Sequence, residues 1–318
     1  MQGDAIDRIE ENAVRTIPTL TILRWIVQLG FGIILLWWIV RWVDVDSERL
    51  WTAVGKASPL DLALAVVFFV ISIGLKTMQF RICLSSNVSN KYLFGLLLSQ
   101  NALLTILPWR IGEISLPLLL RRNQDVPLTK SVSNILMIRL IDFAFIIVVA
   151  AATSGPKIRI YVSWVTLFVI VVILGSLFYA AKLVFRRVPT LKFVIAISVA
   201  FKSLSNPTTV GSIVLFSAGV FAMTTLQSAF ALRAFGLTIP LLEVAILNAA
   251  SLLVAVLPLH PPGGWGTIDL IQVVLLQQLN FQPEITTPVI LVTHCFYTLL
   301  VLLGGGFGWW LCRNISHR

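Results

Sequence analysis

The ionisable side chains that interrupt the apolar runs of this chain stand in short, repeated spacings. In "NALLTILPWRIGE", Arg110 and Glu113 follow Pro108, three residues apart. That spacing puts both on one helical face, and a paired charge is cheaper in hydrocarbon than an isolated one. Arginine's planar fork can donate two hydrogen bonds to a phosphate. One reading is that Arg110 grips a phosphate while Glu113 pairs with it or with a substrate cation. An ordinary salt bridge at a headgroup-level turn is the alternative. Arg139 and Asp142 repeat the spacing inside an apolar run. An ionisable pair at that depth is a functional-site candidate, and a pair locking two helices is the competing reading. Further on, "PPGGWGTID" supplies Pro261, Pro262, Gly263, Gly264 and Gly266, then Asp269. Glycines let a backbone approach a ligand closely, although a glycine-rich turn alone says little about phosphate. His260 and His294 can titrate near neutrality or sit neutral and bonded within a bundle. Asn101 and Asn248 can bond between helices or touch a substrate.

Catalytic signatures are lacking. The sequence contains no His-Glu-x-x-His pair, no Gly-x-Ser-x-Gly elbow and no P-loop. Glu113, Asp142 and Asp269 could do acid–base work, but nothing in the sequence brings them beside a nucleophile. Cys83, Cys295 and Cys312 show no paired spacing, so neither a disulfide framework nor a metal site is expected. The expectation is a protein without catalytic residues, metal or cofactor.

The elements that must hold these residues are membrane helices. Apolar residues make up 58% of 318 and charged residues 12%, more apolar surface than a soluble domain of this length can bury. Candidate full spans are about 20–40, 60–80, 131–153, 160–183, 209–232 and 286–311, judged against a hydrocarbon layer of roughly 30 Å. Two further apolar segments, about 92–120 and 241–279, are interrupted by "LPWRIGE" and "LPLHPPGGWGTID". Their halves are short, and each break carries Pro, Gly and charge. Pro108, Gly112, Pro258, Pro261, Pro262 and Gly266 are read as backbone-breaking positions. Each segment is read as a hairpin that enters the bilayer and returns, because irregular backbone at depth needs protein or a watery cavity around it. The net charge of +10 is carried mainly by short loops, where it orients the chain and meets anionic headgroups. With so little polar surface, nucleic acid is excluded as a partner. With two hairpins, the basic connections and both termini fall on the cytoplasmic side. The N-terminal segment 1–19 is polar, with no cleavable signal peptide expected. Residues 190–205 read as an amphipathic helix at the cytoplasmic interface.

A weak repeat links the two broken segments. Arg81 ends the span before the first, and Arg233 the span before the second. Asn101 and Asn248 precede Pro108 and Pro258. Asp125 opens "DVPLTKSVSNILMIRL" with Arg139 fourteen residues on, and Asn280 opens "NFQPEITTPVILVTHC" with His294 fourteen residues on. The units would be 20–153 and 160–312, in opposite orientations. Inverted repeats with discontinuous helices meeting near the midplane recur in transporters. Half-helix ends there expose unpaired N–H and C=O groups.

At "NALLTILPWRIGEISLPLLLRR", "SNILMIRLIDF" and "VLPLHPPGGWGTIDLIQVVLL" the chain resembles the lysylphosphatidylglycerol synthase transmembrane-region family. This is the flippase module of the bacterial multiple peptide resistance factor. Stand-alone relatives include some linked to hopanoid or polyprenyl-linked glycan pathways. The resemblance spans roughly residues 20–312, with Asn101, Pro108, Arg110, Gly112, Glu113 and Arg139 matching the first motif region. Pro258, Gly263, Gly264 and Gly266 match the second. The chain departs from the family with Leu116 and His294 where Arg is common, and with Asp269 where Glu is usual. Aminoacyl transfer belongs, in the bifunctional relatives, to a separate soluble domain for which this chain has no room, so a synthase is not expected.

The resemblance implies a lipid-translocating bundle in the cell membrane of a prokaryote. The expected fold is all-α and polytopic, with about six full spans plus two re-entrant hairpins as an inverted repeat. The expected activity is movement of an amphiphile with an anionic, phosphate-bearing head. Its contacts would come from Asn101, Arg110, Glu113, Arg139, Asp142, Asn248, Gly263, Gly264, Asp269 and His294, the carboxylates balancing charge or binding a coupling proton. Alternatives are a membrane enzyme modifying a lipid phosphate and a scaffold for a synthase. Membrane lipids are the expected partners, alongside a second copy of the chain or a separate synthase.

Overall fold

The computed structural model describes residues 19–84, 88–107, 112–153, 206–255 and 261–316. Among these residues every regular element is a helix. The order is α1 (Thr19–Val43), α2 (Ser47–Gly55), α3 (Pro59–Leu84), α4 (Asn90–Ile106), α5 (Gly112–Gln124), α6 (Leu128–Thr153), α7 (Pro207–Ala234), α8 (Leu241–Val254), a 3₁₀ turn (Pro262–Gly264), α9 (Thr267–Gln278) and α10 (Pro283–Ser316). The expected span 160–183 and the interfacial segment 190–205 lie outside the described residues, as do Pro108, Arg110, Pro258 and His260.

Among the described residues five helices, α1, α3, α6, α7 and α10, are long and apolar enough to cross a bilayer. They overrun the apolar limits read from the sequence because capping, rather than hydropathy, sets where a helix ends. Pro59, Pro207 and Pro283 open α3, α7 and α10, at a position where the missing N–H costs nothing. Asn206 caps α7 by accepting the Thr208 N–H. Large apolar side chains remain exposed along the outside, among them Ile33 at 65% and Leu215 at 71%. Such surface fits lipid rather than water. The chain is an all-α polytopic membrane protein.

Two antiparallel pairs form the frame. In the first, α3 runs against α7. The Asp61 carboxylate accepts from the Arg233 guanidinium at one end, and Phe68 stacks on Phe230 at 5.3 Å just inside it. At the other end Gln79 Nε2 donates to Ser217 Oγ at 2.9 Å. In the second pair, α4 runs against α10 with almost no side chain between the backbones. A Cβ on Gly308 would stand 2.4 Å from the Gly95 carbonyl oxygen, and one on Gly305 2.2 Å from Ala102 Cβ. Small residues permit that approach, which gains dispersion contacts where lipid offers no hydrophobic drive.

The broken apolar segments fold back on themselves. Asn123, at the end of α5, donates to Tyr92 Oη at the start of α4, and Gly112 abuts the backbone of Leu103 and Leu104. Hence α4 and α5 are antiparallel neighbours. In the second segment Gln272 Nε2 of α9 donates to Ser251 Oγ of α8 at 3.0 Å. The open ends of the two hairpins sit in different clusters. Tyr92, Leu93 and Leu120 pack with Phe80, Leu84 and Ile213. Val244 and Leu276 pack with Val43, Ala53, Leu232 and Val289. One end of the bundle therefore gathers Arg81, Lys91, Arg121, Arg122, Lys130 and Arg313. The other gathers Asp44, Asp46, Glu48, Asp61, Glu243 and Glu284 with Arg41, Arg49, Lys56 and Arg233.

Candidate functional site at the meeting of two hairpins

The end of α4, where the first hairpin breaks, meets the turn of the second. α4 ends at Ile106, and Leu107 turns to extended backbone while its N–H still bonds Leu103 O. The Pro262–Gly264 turn packs against this end of α4 and against α1. A Cβ on Gly263 would stand 3.6 Å from Thr105 Cγ2, and Gly32 of α1 is pressed against Pro261 and the Trp265 carbonyl. The end of α4 and the Pro262–Gly264 turn thus lie against α1 in the interior of the bundle rather than at either end.

Glycine is required at the second tip. Gly263, Gly264 and Gly266 hold φ of 68°, 77° and 82°, a left-handed conformation that costs other residues about 1–2 kcal/mol each. Asp269, in the first turn of α9 and fully buried, binds this loop from below. Its Oδ2 accepts the Gly266 N–H at 2.8 Å, and its Oδ1 lies 2.7 Å from His294 Nδ1 on α10. His294 Nε2 lies 2.9 Å from the Gly263 carbonyl oxygen, and Trp265 stacks on the imidazole at 4.0 Å and 2°. Asp269, His294, Gly263 and Gly266 therefore form one unit. The sequence separates Asp269 from His294 by 25 residues and offers no sign of the contact. Trp265 belongs to this unit and was missed, because a tryptophan in an apolar protein reads as an interface anchor.

Asp142 occupies a second cluster. Its Oδ1 accepts from Gln79 Nε2 of α3 at 3.0 Å and from Ser217 Oγ of α7. The carboxylate is thereby fixed where α3, α6 and α7 converge. Arg139 is half-buried one turn earlier on α6. Gln79 and Ser217 were not singled out in the sequence, although a glutamine inside an apolar span is a usable signal. Buried amides recur at Gln28, Gln100 and Gln227. Gln100, 1% exposed, has no hydrogen-bond partner on either amide atom. It lies on α4 beside Asn101, about two turns before the break.

Asn248 is absorbed into packing. Its Nδ2 donates to Thr224 and Thr225 of α7, the interhelical role set against substrate contact above. Asn101 is half-buried. Gly112 opens α5, and Glu113 falls on its first turn, next to the first interruption in the chain. Among the described residues no cluster of three metal-ligating side chains occurs.

Three non-glycine residues among those described, Asp44, Asp125 and Asn280, are left-handed. Asp125 and Asn280, which open the repeated phrases, hold φ of 50° and 66°. Each reverses the chain between a hairpin and the following long span. Val126 N–H returns six residues to Leu120 O and Phe281 N–H five residues to Leu276 O, so each turn closes a helix end and only the second has the Schellman spacing.

No curated protein and no solved structure matches the chain significantly. A family model does: that of the Lysylphosphatidylglycerol synthase TM region matches residues 25–305. With the two hairpin motifs inside that match, the chain belongs to this family of membrane modules.

Proposed function

We propose that the protein is a lipid flippase that moves an amphiphile with an anionic, phosphate-bearing headgroup across a prokaryotic cell membrane. Phospholipids, aminoacyl-phospholipids and polyprenyl-phosphate-linked glycans carry such heads. The observation that carries the reading is the contact, inside an apolar bundle, between the broken end of α4 and the glycine turn of the second hairpin. Helix ends exposed there can hold charge that hydrocarbon rejects. Arg110 grips the phosphate, and Glu113 and Arg139 balance charge along the path.

The two hairpins are read as re-entrant and the chain as an inverted repeat. Contacts come in exchanged pairs, which supports this: α4 packs on α10 as α8 packs on α6, and α3 on α4 as α7 on α8. The basic end is cytoplasmic under the positive-inside rule, with both termini there. Movement rather than headgroup chemistry is favoured because Asp142 and Asp269 are committed to fixed protein partners.

Native mass spectrometry of gently purified protein tests the headgroup site. An anionic lipid is expected to be retained by the wild type and lost in Arg110→Ala. An unchanged lipid profile would remove Arg110 from the site and favour a scaffold role.

A further inference from the structure

The hydrogen-bond geometry around His294 fixes a proton count. A backbone carbonyl can only accept, so the 2.9 Å contact to Gly263 O puts a proton on Nε2. Asp269 Oδ2 already accepts the Gly266 N–H. The 2.7 Å line between Nδ1 and Oδ1 then needs one proton of its own. The pair is satisfied as imidazolium with carboxylate, or as imidazole with carboxylic acid, and is neutral overall either way.

Neither neighbouring protonation level fits. Removing one proton leaves an imidazole with a single N–H. It must then present a lone pair either to the Asp269 carboxylate or to the Gly263 carbonyl, with an uncompensated charge in a site 0% and 8% exposed. Adding one places a second hydrogen against Nδ1–H or against the Gly266 N–H. Each change breaks either the Asp269–His294 contact that joins the two halves of the clamp or a contact to the loop itself. The protonated ring also gains from the stacked Trp265 face, which attracts a cation.

We propose that the Asp269–His294 pair is a proton-binding site that clamps the loop Pro261–Gly266, so that loss of its shared proton releases the tip. One proton leaves the pair for water as the loop opens and its hydrogen bonds to the pair are given up, and one returns as it closes, with no other covalent bond made or broken. Headgroup movement past the tip is then proton-linked, a step that rests on the flippase reading above. Of the charged motif at the facing hairpin, Glu113 lies in the first turn of α5, and Arg110 lies outside the described residues. Among the described residues, α1 meets the clamp through Gly32, Leu35 and Leu36, and α4 through Thr105. On α9 only Asp269 is ionisable, and α8 carries only Glu243, at its distant start. On α10 Cys295 follows His294 in the chain, while Glu284 and Arg313 lie near the two ends of that helix.

Asp269→Asn is the decisive variant. Its amide oxygen can accept the Gly266 N–H and its Nδ2–H can donate to a neutral Nδ1, so the loop stays clamped with no shared proton to release. His294→Arg, with a charge that does not titrate, is the second variant. The first readout is the Trp265 fluorescence of full-length protein in nanodiscs, taken as the difference from Trp265→Phe, across the titration range of imidazole and carboxyl groups. The wild type is expected to change with pH, and both variants to stay flat. A flat wild type, or variants that follow it, overturns the proton site. The second readout is movement of fluorescent phosphatidylglycerol in proteoliposomes under an imposed pH gradient. Wild-type movement is expected to rise several-fold with the gradient, and that of Asp269→Asn to ignore it. Lipid movement indifferent to the gradient in the wild type overturns the coupling and leaves the flippase standing. A titrating Trp265 signal without movement of any phosphate-bearing lipid overturns the flippase and leaves the proton site standing.

Discussion

Asp142 illustrates what a buried carboxylate needs in an apolar bundle. Its neighbours Gln79 and Ser217 come from two other helices, so removing the carboxylate leaves two polar groups facing each other without their common acceptor. Interhelical hydrogen bonds in membranes are individually modest, but an orphaned buried donor carries its own desolvation cost. We expect Asp142→Ala to cost about 1–2 kcal/mol of stability. Asp142→Asn should cost less than half as much, because its amide oxygen still accepts. Thermal unfolding in detergent measures the difference, and equal losses would show that charge rather than acceptance holds the cluster.

The pairing of helices depends on glycine spacing at α4 and α10. At Gly308 an added methyl meets the Gly95 carbonyl at 2.4 Å and Leu98 Cβ at 2.7 Å, whereas at Gly306 it meets nothing within 4 Å. Two glycines two residues apart on one helix should therefore respond oppositely. We expect Gly308→Ala to destabilise by about 1–3 kcal/mol, since backbone must shift. Gly306→Ala should be neutral or stabilising by up to about 1 kcal/mol, from the gain in helix propensity. Matching unfolding curves for the two variants would contradict the close crossing. Since α4 leads into the first hairpin tip and α10 carries His294, a loosened crossing is also expected to slow lipid movement in Gly308→Ala.

At the scale of the whole molecule, charge and hairpin direction make one statement about topology. The open end of the first hairpin lies with Arg121, Arg122 and Lys130, and that of the second with Glu243 and Glu284. In cells, with the native cysteines replaced, Arg122→Cys is expected to react with a membrane-impermeant maleimide only after permeabilisation. Ser47→Cys, between Asp46 and Glu48, is expected to react in intact cells. Labelling of both from the same side would sink the two-hairpin topology.

Apolar excess, helix class, the broken segments and the motif residues could all be read along the chain, because each depends on composition or on neighbours a few residues apart. Pro108 and the glycines at 263, 264 and 266 signal interruption wherever they fall, and Asp125 and Asn280, which open the repeated phrases, are both left-handed. Tertiary structure alone decided the partners. Asp142 was paired along its own helix with Arg139 in the sequence reading, yet it is held by Gln79 and Ser217 from helices 63 and 75 residues away. His294 and Asp269 read as separate groups, and folding makes them one clamp on a loop. The physical reason is range. Helix propensity and hydropathy act locally and leave their record in order, whereas a polar side chain in hydrocarbon takes whichever partner the packing of distant helices brings within about 3 Å.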